Sequence, residues 1–398
     1  MTETQPETNE NNSQKRRKAI IMLTAFFLVI GFIWLLYWLV WGRFHEYTDD
    51  AYVGGNIVAV MAQVPGTVIE ITTDDTQLVT QGQPIVKLDP TDTTIALQRA
   101  EATLAETVRE VRQYFENAER AQATLILRSA DLMKAQLDLK RRVGLVGERA
   151  ISREEMQHYT TAAQGAEAEY KAALHTLRAA VALVENSHIY THPLVERAKA
   201  NLKSAYLNKQ RTVIVAPVTG YVAKRSVQVG QEISMKTTLL AIVPLNEIWV
   251  DANYKESQLS RIRINQPVNL YADANSDVTY HGKVLGLSPG TGVTFSLLPP
   301  QNATGNWIKI VQRLPVRIGF DPEEIKKNPL LIGLSMHVTI NTYHLDGKRL
   351  ATTSKTKTLY ATPVYQHQLA EVDTLIAVIL KANAADQFFP AAQLTGQA

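Results

Sequence analysis

The longest uncharged apolar run of the chain lies near the N-terminus, from Ala19 to Trp41. As a helix it would be roughly 34 Å long, enough to cross a bilayer core of about 30 Å. It is longer than the apolar part of a secretory signal, and it carries interfacial aromatic residues at its end, among them Trp34, Trp38 and Trp41. The pattern predicts an uncleaved transmembrane helix over residues 19–41, anchored by these tryptophans, and a buried core helix is the weaker alternative.

The charges on the two sides of this run differ in sign. A basic cluster at residues 15–18 precedes it, and Glu46, Asp49 and Asp50 follow it. The positive-inside rule therefore predicts a cytoplasmic tail over residues 1–18 and an external location for the rest of the chain. In a Gram-negative cell this is a single-pass inner-membrane protein whose bulk is periplasmic.

Residues 90–210 carry the strongest periodic pattern. Apolar residues recur at every seventh position, with a second set three places on; they are Leu97, Leu104, Val111, Ala118, Leu125, Leu132 and Leu139, and Ala100, Tyr114, Ala121 and Ala135. Such a repeat is typical of a supercoiling helix. It predicts a helix from Asp92 to about Arg142, about 75 Å long.

The same register resumes after a break. Its positions are Met156, Ala163, Tyr170, Leu177 and Val184, with Tyr159, Ala166, Ala173 and Ala180. Between the two arms, Gly144 and Gly147 favour a turn, and Ser152 is a predicted N-cap with Glu155 as its capping-box partner. The pattern predicts an antiparallel hairpin, with a kink or a new helix start near Pro193.

Two segments that flank the hairpin resemble each other. Val64–Val68 and Gly82–Leu88 can be laid on Ala216–Val222, Gly230–Ile233 and Leu239–Ile242. Both alternate β-branched and polar residues between Gly and Pro, which predicts short strands and tight turns. The segments resemble the two halves of a biotinyl/lipoyl-type β-sandwich, here residues 42–89 with a membrane-proximal lead-in and residues 211–245. In carrier proteins of that type a modified lysine sits in the turn between the halves, where this chain has the hairpin.

The charge balance and the motif content exclude several classes of function. The net charge is +3 with a pI near 8.8, charges of both signs are mixed, and cysteine is absent, so neither a nucleic-acid face nor thiolate chemistry is indicated. His188 and His192 lack a nearby third ligand, and the pairs Asp49–Asp50 and Asp74–Asp75 suit turns better than a catalytic dyad. The sequence predicts no active site, no cofactor and no metal.

The order of a span, a half-sandwich, a helical hairpin and a second half-sandwich resembles the membrane fusion proteins, the periplasmic adaptors of efflux and secretion systems. The segments that narrow the resemblance to the EmrA-type multidrug adaptors are Tyr47–Val53, Ala216–Val222, Ile248–Glu256 and Phe295–Arg317. The resemblance implies an elongated fold of mixed α and β class, with a small β-barrel over residues 246–345.

Strand-like segments of the last third of the chain fit that barrel. They are Ile248–Ala252, Val268–Ala272, Gly282–Leu287 and Met336–Thr342. The final segment, residues 346–398, is amphipathic from His367 to Lys381. We expect a short helix there, lying on the barrel or on the membrane-proximal region.

The resemblance also implies docking residues. In the family, an Arg, a Leu four positions later and a Ser seven further on mark the contact of the hairpin tip with a TolC-like outer-membrane channel, and Arg141, Leu145 and Ser152 match that spacing. The alternative is that Ser152 only caps a helix and Leu145 only closes the coiled coil. Phe295, Leu297 and Leu298 lie in an apolar loop that is either a contact with the transporter or a neighbouring subunit, or an ordinary barrel connection.

The implied function is that of an adaptor in multidrug efflux. Its partners would be a proton-driven major-facilitator (EmrB-like) exporter, a TolC-like channel and further copies of the chain, as a trimer or a hexamer. One alternative is an adaptor of an ABC-type (type I) secretion system, and one of another class is a biotin or lipoyl carrier subunit. The exported compounds, the copy number, direct drug binding and the mode of channel contact stay open.

Overall fold

The computed structural model describes residues 10–40, 42–147, 151–295, 311–352 and 358–384. The first helix, α1, runs from Glu10 to Val40, so it begins inside the predicted tail. In the described part of the chain, the segment from Arg16 to Phe44 is the one helix with the length and composition to cross a membrane. Its side chains from Arg16 to Val40 are all exposed, so this apolar helix does not pack against a protein core. A membrane-spanning helix is expected to expose its apolar side chains in this way.

Three helices form the predicted hairpin: α2 (Thr91–Gly147), α3 (Arg153–Val181) and α4 (Pro193–Gln210). Leu97, Leu104 and Val111 are buried between the arms, and the other predicted repeat positions are buried or half-buried. Arg128 bridges to Glu169 at 3.0 Å, and Arg142 lies 3.8 Å from the centroid of the Tyr159 ring. Because the partner number falls as the first number rises, the arms are antiparallel.

The strands of the described residues fall into two groups of sheets. They are β1 (His45–Thr48), β2 (Ala51–Gly55), β3 (Val58–Met61), β4 (Gly66–Ile71), β5 (Leu78–Val79), β6 (Pro84–Leu88), β7 (Val213–Val215), β8 (Gly220–Arg225), β9 (Glu232–Ile233), β10 (Thr238–Val243), β11 (Ile248–Lys255), β12 (Pro267–Ala272), β13 (Asn275–Leu287), β14 (Arg313–Phe320) and β15 (Met336–Asn341). β3 to β10 form the sandwich, and the others form the barrel.

The sandwich consists of two four-stranded sheets, β3-β10-β8-β5 and β7-β6-β4-β9. Each sheet takes strands from both sides of the hairpin, and exchanging the two halves of the sequence turns one strand order into the other. The hairpin leaves after β6 and returns into β7, where the Leu88 N–H donates to the Thr212 carbonyl at 2.8 Å. The predicted split sandwich, and with it the mixed α and β fold class, is confirmed.

The hydrogen bonds show that the internal repeat has a different register from the predicted one. The N–H of Gly82 donates to the carbonyl of Ala216, and the N–H of Lys236 donates to the carbonyl of Ala62. The separation in the chain between Gly82 and Lys236 equals that between Ala62 and Ala216. Gly82 therefore corresponds to Lys236, and both have positive φ, 84° and 68°.

The second turn of the repeat has the same relation. Thr76 and Gly230 donate to the carbonyls of Val222 and Val68, and their φ values are 71° and 83°. The predicted match of Gly82–Ile85 with Gly230–Ile233 was wrong, because each half needs two left-handed positions and the recurring Gly-Gln pair marks a different turn in each half. By the same offset, residues 58–88 correspond to residues 212–242.

A seven-stranded sheet in the order β1-β15-β12-β13-β14-β11-β2 forms the barrel. It closes where Val53 exchanges hydrogen bonds with Gly333 and Leu334, at 2.7 and 2.9 Å. The lead-in predicted to accompany the first half-sandwich thus supplies β1 and β2 to the barrel. The inner face holds Val250, Tyr254 and other buried residues, and a short helix, α5 (Pro322–Lys327), packs Ile325 against it.

The last described helix, α6 (Val372–Ala384), packs on the hairpin rather than on the barrel. Val372, Ile376 and Leu380 are spaced four apart and enter one core with α2 and α4. Polar contacts fix the same position, since Lys203 bridges to Asp373 at 2.7 Å and Arg109 donates to the Asn383 side chain at 3.0 Å. The predicted location on the barrel or the membrane-proximal region was therefore wrong.

Candidate docking sites

The end of the rod carries the predicted channel-docking residues. Arg141 lies in the last two turns of α2, and its side chain is 73% exposed, with Asp138 3.9 Å away as a loose partner. Its neighbour Arg142 instead stacks on Tyr159 across the hairpin. Of the two adjacent arginines, Arg141 is therefore the one that presents its guanidinium to solvent at the tip.

Ser152 begins the return arm. Its extended backbone, with φ −81° and ψ 158°, and its hydroxyl, which accepts the Glu155 N–H at 3.0 Å, make it the N-cap of α3. The predicted capping box has two hydrogen bonds. The bond from the Glu155 N–H to the Ser152 hydroxyl is the one present among the described residues. The side chain of Ser152 is nevertheless exposed, so capping leaves its outer surface free for a partner.

The side chain of Leu145, the third residue of the docking motif, lies outside the described residues, as do residues 148–150. The backbone nevertheless places position 145 in the last turn of α2, between Arg141 and the turn. The three positions therefore lie at the same end of the rod, within one short helix–turn–helix segment.

The other end of the periplasmic part begins directly after α1. The Thr342 N–H donates to the Phe44 carbonyl at 2.7 Å, and the rings of Phe44 and Tyr343 pack edge to face at 5.2 Å. Arg261 donates to the Arg43 carbonyl and lies over the Phe44 ring. These contacts hold the barrel within a few residues of the apolar helix.

The first barrel strand brings a carboxylate into this junction. Burial raises the pKa of Glu46 above its usual value, and a hydrogen bond from Gln258 and the charge of Arg261 partly oppose that rise. The acid is thus half-buried at the base of the barrel and linked to the same arginine that holds the Phe44 segment.

The predicted transporter-contact residues are only partly described. A short 3-10 turn over Gly292–Phe295 begins the apolar loop, and the side chain of Phe295 together with Leu297 and Leu298 lies outside the described residues. Of the anchoring tryptophans, Trp34 and Trp38 are exposed on α1, at 66% and 49%, and Trp41 lies outside the described residues.

His192 has a structural role at the break between α3 and α4. Its Nδ1 accepts the Leu194 N–H at 3.2 Å as the N-cap of α4, and its Nε2 donates to the Leu183 carbonyl at 3.0 Å. Both ring nitrogens are therefore engaged by the backbone, which joins the end of one helix segment to the start of the next.

The paired acids also hold structure together. Arg225 donates to Asp74 at 2.9 Å through its side chain and to Asp75 at 2.7 Å through its backbone, which ties two turns of the sandwich. The hydrogen bond from Arg225 is the main cause that keeps the pKa of Asp74 below its usual value. Asp50 accepts from Arg313 at 2.9 Å, past the intervening strand β11. The pairs therefore link strands and turns.

A groove of about 730 Å³ lies between β3 and the segment around Tyr365–Leu369. The residues that line it are apolar or carry amide or basic groups, apart from the phenol of Tyr365, and they include neither a carboxylate nor a histidine. Among the described residues, moreover, no group of three or more His, Asp or Glu side chains is arranged to hold a metal ion. The arrangement suits binding and docking rather than acid–base chemistry.

Comparison with known proteins gives the same picture. The family model for the EmrA α-helical hairpin domain matches residues 91–212. The multidrug export protein EmrA of Escherichia coli is 44% identical over 350 residues, covering 88% of this chain and 90% of the relative. EmrA of Haemophilus influenzae is 39% identical over 383 residues, with 96% and 98% covered.

A solved periplasmic adaptor, also EmrA, is 20% identical, with a TM-score of 0.37 over 75% of this chain and 99% of that one. The two sequence relatives match 88% and 96% of this chain. The chain therefore belongs to the EmrA-type membrane fusion proteins, which are adaptors and not enzymes.

Proposed function

We propose that this chain is the periplasmic adaptor of a tripartite multidrug efflux system. It links a proton-driven major-facilitator (EmrB-like) exporter in the inner membrane to a TolC-like channel in the outer membrane. The observation that carries the proposal is that one chain combines three parts: a membrane-compatible helix, a barrel held to the segment directly after that helix, and a rod about 85 Å long whose tip exposes a basic residue.

The anchored end supports an inner-membrane location. The basic cluster before the apolar helix supports a cytoplasmic location for residues 1–18, with the barrel following the helix on the other side. In this arrangement the barrel lies at the periplasmic face of the membrane, where the exporter is. The loop that contains Phe295, Leu297 and Leu298 belongs to the barrel and is the proposed contact with the exporter or a neighbouring copy.

The free end supports docking to the channel. Arg141, Leu145 and Ser152 come together at the turn of the hairpin, where a partner beyond the rod would first meet the protein. Charge on an exposed tip adds little to folding but can select and orient a partner. Several copies, as a trimer or a hexamer, would be needed to surround a conduit.

Substitution at the tip tests the docking role. Arg141→Asp should abolish drug resistance in cells that depend on this chain, because it reverses an exposed charge at the contact, while expression and membrane insertion stay normal. The matched control is Arg120→Asp, an exposed site on the same helix about 30 Å below the tip. Normal resistance with Arg141→Asp, or equal loss with the control, would contradict a specific tip contact.

The adaptor of an ABC-type secretion system is the competing function within the family. Purification of the chain from membranes with its partners separates the two: co-purification of a major-facilitator exporter supports multidrug efflux, and an ABC transporter supports secretion. The carrier alternative has no modified turn to act through, because the hairpin occupies the join between β6 and β7. A biotinylated or lipoylated lysine in the mass spectrum would revive it.

A further inference from the structure

Three short segments form the end of the barrel next to α1, and we name them the basal rim. They are Arg43–Phe44, Leu259–Asn265 and Tyr343–Leu350. The second and third segments are bonded to each other, since the Ile264 N–H donates to the Lys348 carbonyl at 2.9 Å. The side chain of the buried Gln266 donates to the carbonyls of Arg261 and His344, at 3.0 and 2.9 Å. The basal rim is therefore one bonded surface.

The fold turns the third segment of the rim outward. Gly347 approaches the second segment so closely that an added Cβ would lie 2.5 Å from the Ile264 carbonyl oxygen, which only glycine tolerates. Every residue from Tyr343 to Leu350 is nevertheless exposed. The backbone of this segment thus contacts the barrel, and its side chains are available to a partner.

The basal rim lies beside the end of the membrane-compatible helix. Phe44 is the last residue of that helical segment, and its ring packs on Tyr343 with the centroids 5.2 Å apart. The four residues that lead from Val40 to Phe44 span at most about 14 Å, and a headgroup layer is about 5–7 Å thick. With α1 across a membrane, the rim is therefore within reach of the lipid headgroups.

The basal rim is strongly basic. It holds five cationic side chains and one carboxylate, which are Arg43, Arg261, Arg263, Lys348, Arg349 and Asp346. Five positive charges and one negative charge give +4, whereas the whole chain carries only +3. In the part of the chain that the structure describes, none of the five cations forms a salt bridge, whereas Arg313 in the barrel wall bridges to Asp50 at 2.9 Å. Glu46 lies in the field of Arg261 but forms no salt bridge with it. The charge of the rim is thus left for an external partner.

Exposed apolar and aromatic side chains lie among these charges. Tyr343, Leu345 and Leu350 are 63%, 49% and 57% exposed. Tyrosine is common at the headgroup level of a bilayer, because its ring is apolar and its hydroxyl is polar. A basic surface alone would suit any polyanion, but leucines among the cations are stabilised by leaving water, as they do at the boundary between headgroups and acyl chains. Because the rim also lies beside the bilayer, its composition favours an anionic lipid surface.

We propose that the basal rim binds the anionic phospholipid headgroups of the membrane that α1 crosses. Its arginines and its lysine bind the phosphate groups, for which the planar guanidinium fork is well suited. Tyr343, Leu345 and Leu350 insert between the headgroups. The contact fixes the height and the tilt of the barrel above the membrane. This inference requires α1 to span a membrane, and it does not depend on which exporter or channel the chain serves.

A spin label at an introduced cysteine tests the contact, because the native chain contains no cysteine. The test site is Leu345→Cys, and the matched control is Leu331→Cys, at an exposed leucine (60%) at the opposite end of the barrel. That end is identified by Ile332, which lies beside Gly55 where β2 leads to the sandwich. The labelled full-length chain is inserted into nanodiscs of phosphatidylcholine alone, or of phosphatidylcholine mixed equally with phosphatidylglycerol. No exporter is present, so a contact in these discs is a contact with lipid.

The collision rate of the label with a water-soluble nickel chelate reports its exposure to water. In the anionic discs this rate should be several-fold lower at position 345 than at position 331, and collisions with membrane-soluble oxygen should rise at position 345. In neutral discs or at high salt, the rates at position 345 should return towards those at position 331, because headgroup charge contributes to the contact. Inorganic phosphate added to neutral discs should not restore the protection, which separates lipid headgroups from free phosphate.

Charge reversal in the rim gives the second test. Lys348→Glu with Arg349→Glu, in the Leu345→Cys chain, should abolish the protection in anionic discs. The matched control is Lys326→Glu with Lys327→Glu, an adjacent exposed pair on α5 outside the rim, and it should keep the protection. Circular dichroism that matches the parent chain shows that both variants are folded.

Equal exposure of positions 345 and 331 in the anionic discs would overturn the proposal. So would protection that is the same in neutral discs, or that survives reversal of the Lys348 and Arg349 charges, because neither result requires anionic headgroups. Protection that appears only after an exporter is added to the discs would assign the rim to a protein contact and overturn it too. Drug resistance is not part of the readout, so the adaptor function holds or fails independently of this result.

Discussion

At Thr73 the two halves of the sandwich differ by one hydroxyl group. Thr73 is 5% exposed, and its Oγ1 is buried without a hydrogen-bond partner in the described structure. The corresponding residue of the second half is Val227, which is 2% exposed. The repeat therefore shows that this site accepts a purely apolar side chain.

Thr73→Val should raise the free energy of unfolding by about 1 kcal/mol, because it removes a buried polar group that makes no hydrogen bond. Urea denaturation of the purified protein measures the change. The reciprocal variant Val227→Thr should lower stability by about 1–3 kcal/mol. If Thr73→Val proves destabilising, the hydroxyl has a partner after all.

Glycine-to-alanine changes at two open positions should have opposite signs. Gly230 has φ +83° and Gly165 lies inside α3, and neither has a heavy atom within 4 Å of an added Cβ. Gly230→Ala should lower stability by about 1 kcal/mol through left-handed strain, and Gly165→Ala should raise it by about 0.5–1 kcal/mol through helix propensity. Melting temperatures give both signs, and two changes of the same sign would contradict the backbone argument.

At this scale, local chemistry was predictable and distant pairing was not. The N-cap at Ser152 was predictable because its hydroxyl bonds to the backbone N–H of Glu155, only three residues later in the sequence. The correspondence of Gly230 with Thr76 was missed, because glycine and threonine share only a positive φ there, and the hydrogen bonds that reveal it join residues far apart in the chain.

At the scale of elements, the hairpin was predictable because its pattern extends over many turns. A seven-residue repeat specifies which side of each arm is buried, and Pro193 specifies a new helix start. The end of α2 was not predictable: it lies at Gly147 rather than at the predicted Arg142. The spacing of apolar residues shows which side of a helix is buried and does not show where the helix ends.

The position of α6 illustrates the limit of such patterns. Its apolar face was visible in the sequence, but an amphipathic helix does not say which surface it covers. That choice depends on the complementary face formed by α2 and α4, whose residues lie more than one hundred and fifty positions earlier. The helix thickens the base of the rod into a three-helix bundle.

Loss of this packing should loosen the base of the rod. Ile376→Ala, at a side chain 5% exposed, should destabilise the docking of α6 by about 2–4 kcal/mol, because it leaves a cavity against α2. Hydrogen exchange of α6 measures the effect. Val378→Ala, at a side chain 62% exposed on the same helix, is the control and should leave exchange unchanged. Equal protection in both variants would show that α6 is not held by this core.

At the scale of the whole molecule, chain order and spatial order differ most at the barrel. β1 and β2 follow the apolar helix in sequence, yet they pair with β15 and β11, some two hundred or more residues away. Neither periodicity nor turn chemistry encodes such pairings. The segment that contains β1 and β2 was therefore predicted to accompany the first half-sandwich, which follows it directly in the chain. The closed barrel instead joins the membrane end of the chain to its C-terminal half.

This arrangement gives the protein two ends with different tasks. Arg261, Phe44 and Tyr343 fix the barrel to the segment that leaves the apolar helix, while the paired arms carry Arg141 to the far end of the rod. For the proposed function, the tip of the rod, and not its base, must meet the outer-membrane channel.

In-cell photo-cross-linking tests that requirement most directly. A photoreactive amino acid at position 141 should cross-link to a TolC-like outer-membrane protein. The same amino acid at position 203, at the base of the rod, where the lysine side chain is 41% exposed, should not. Capture of the channel from position 203, or its absence from position 141 in cells that keep drug resistance, would contradict the account.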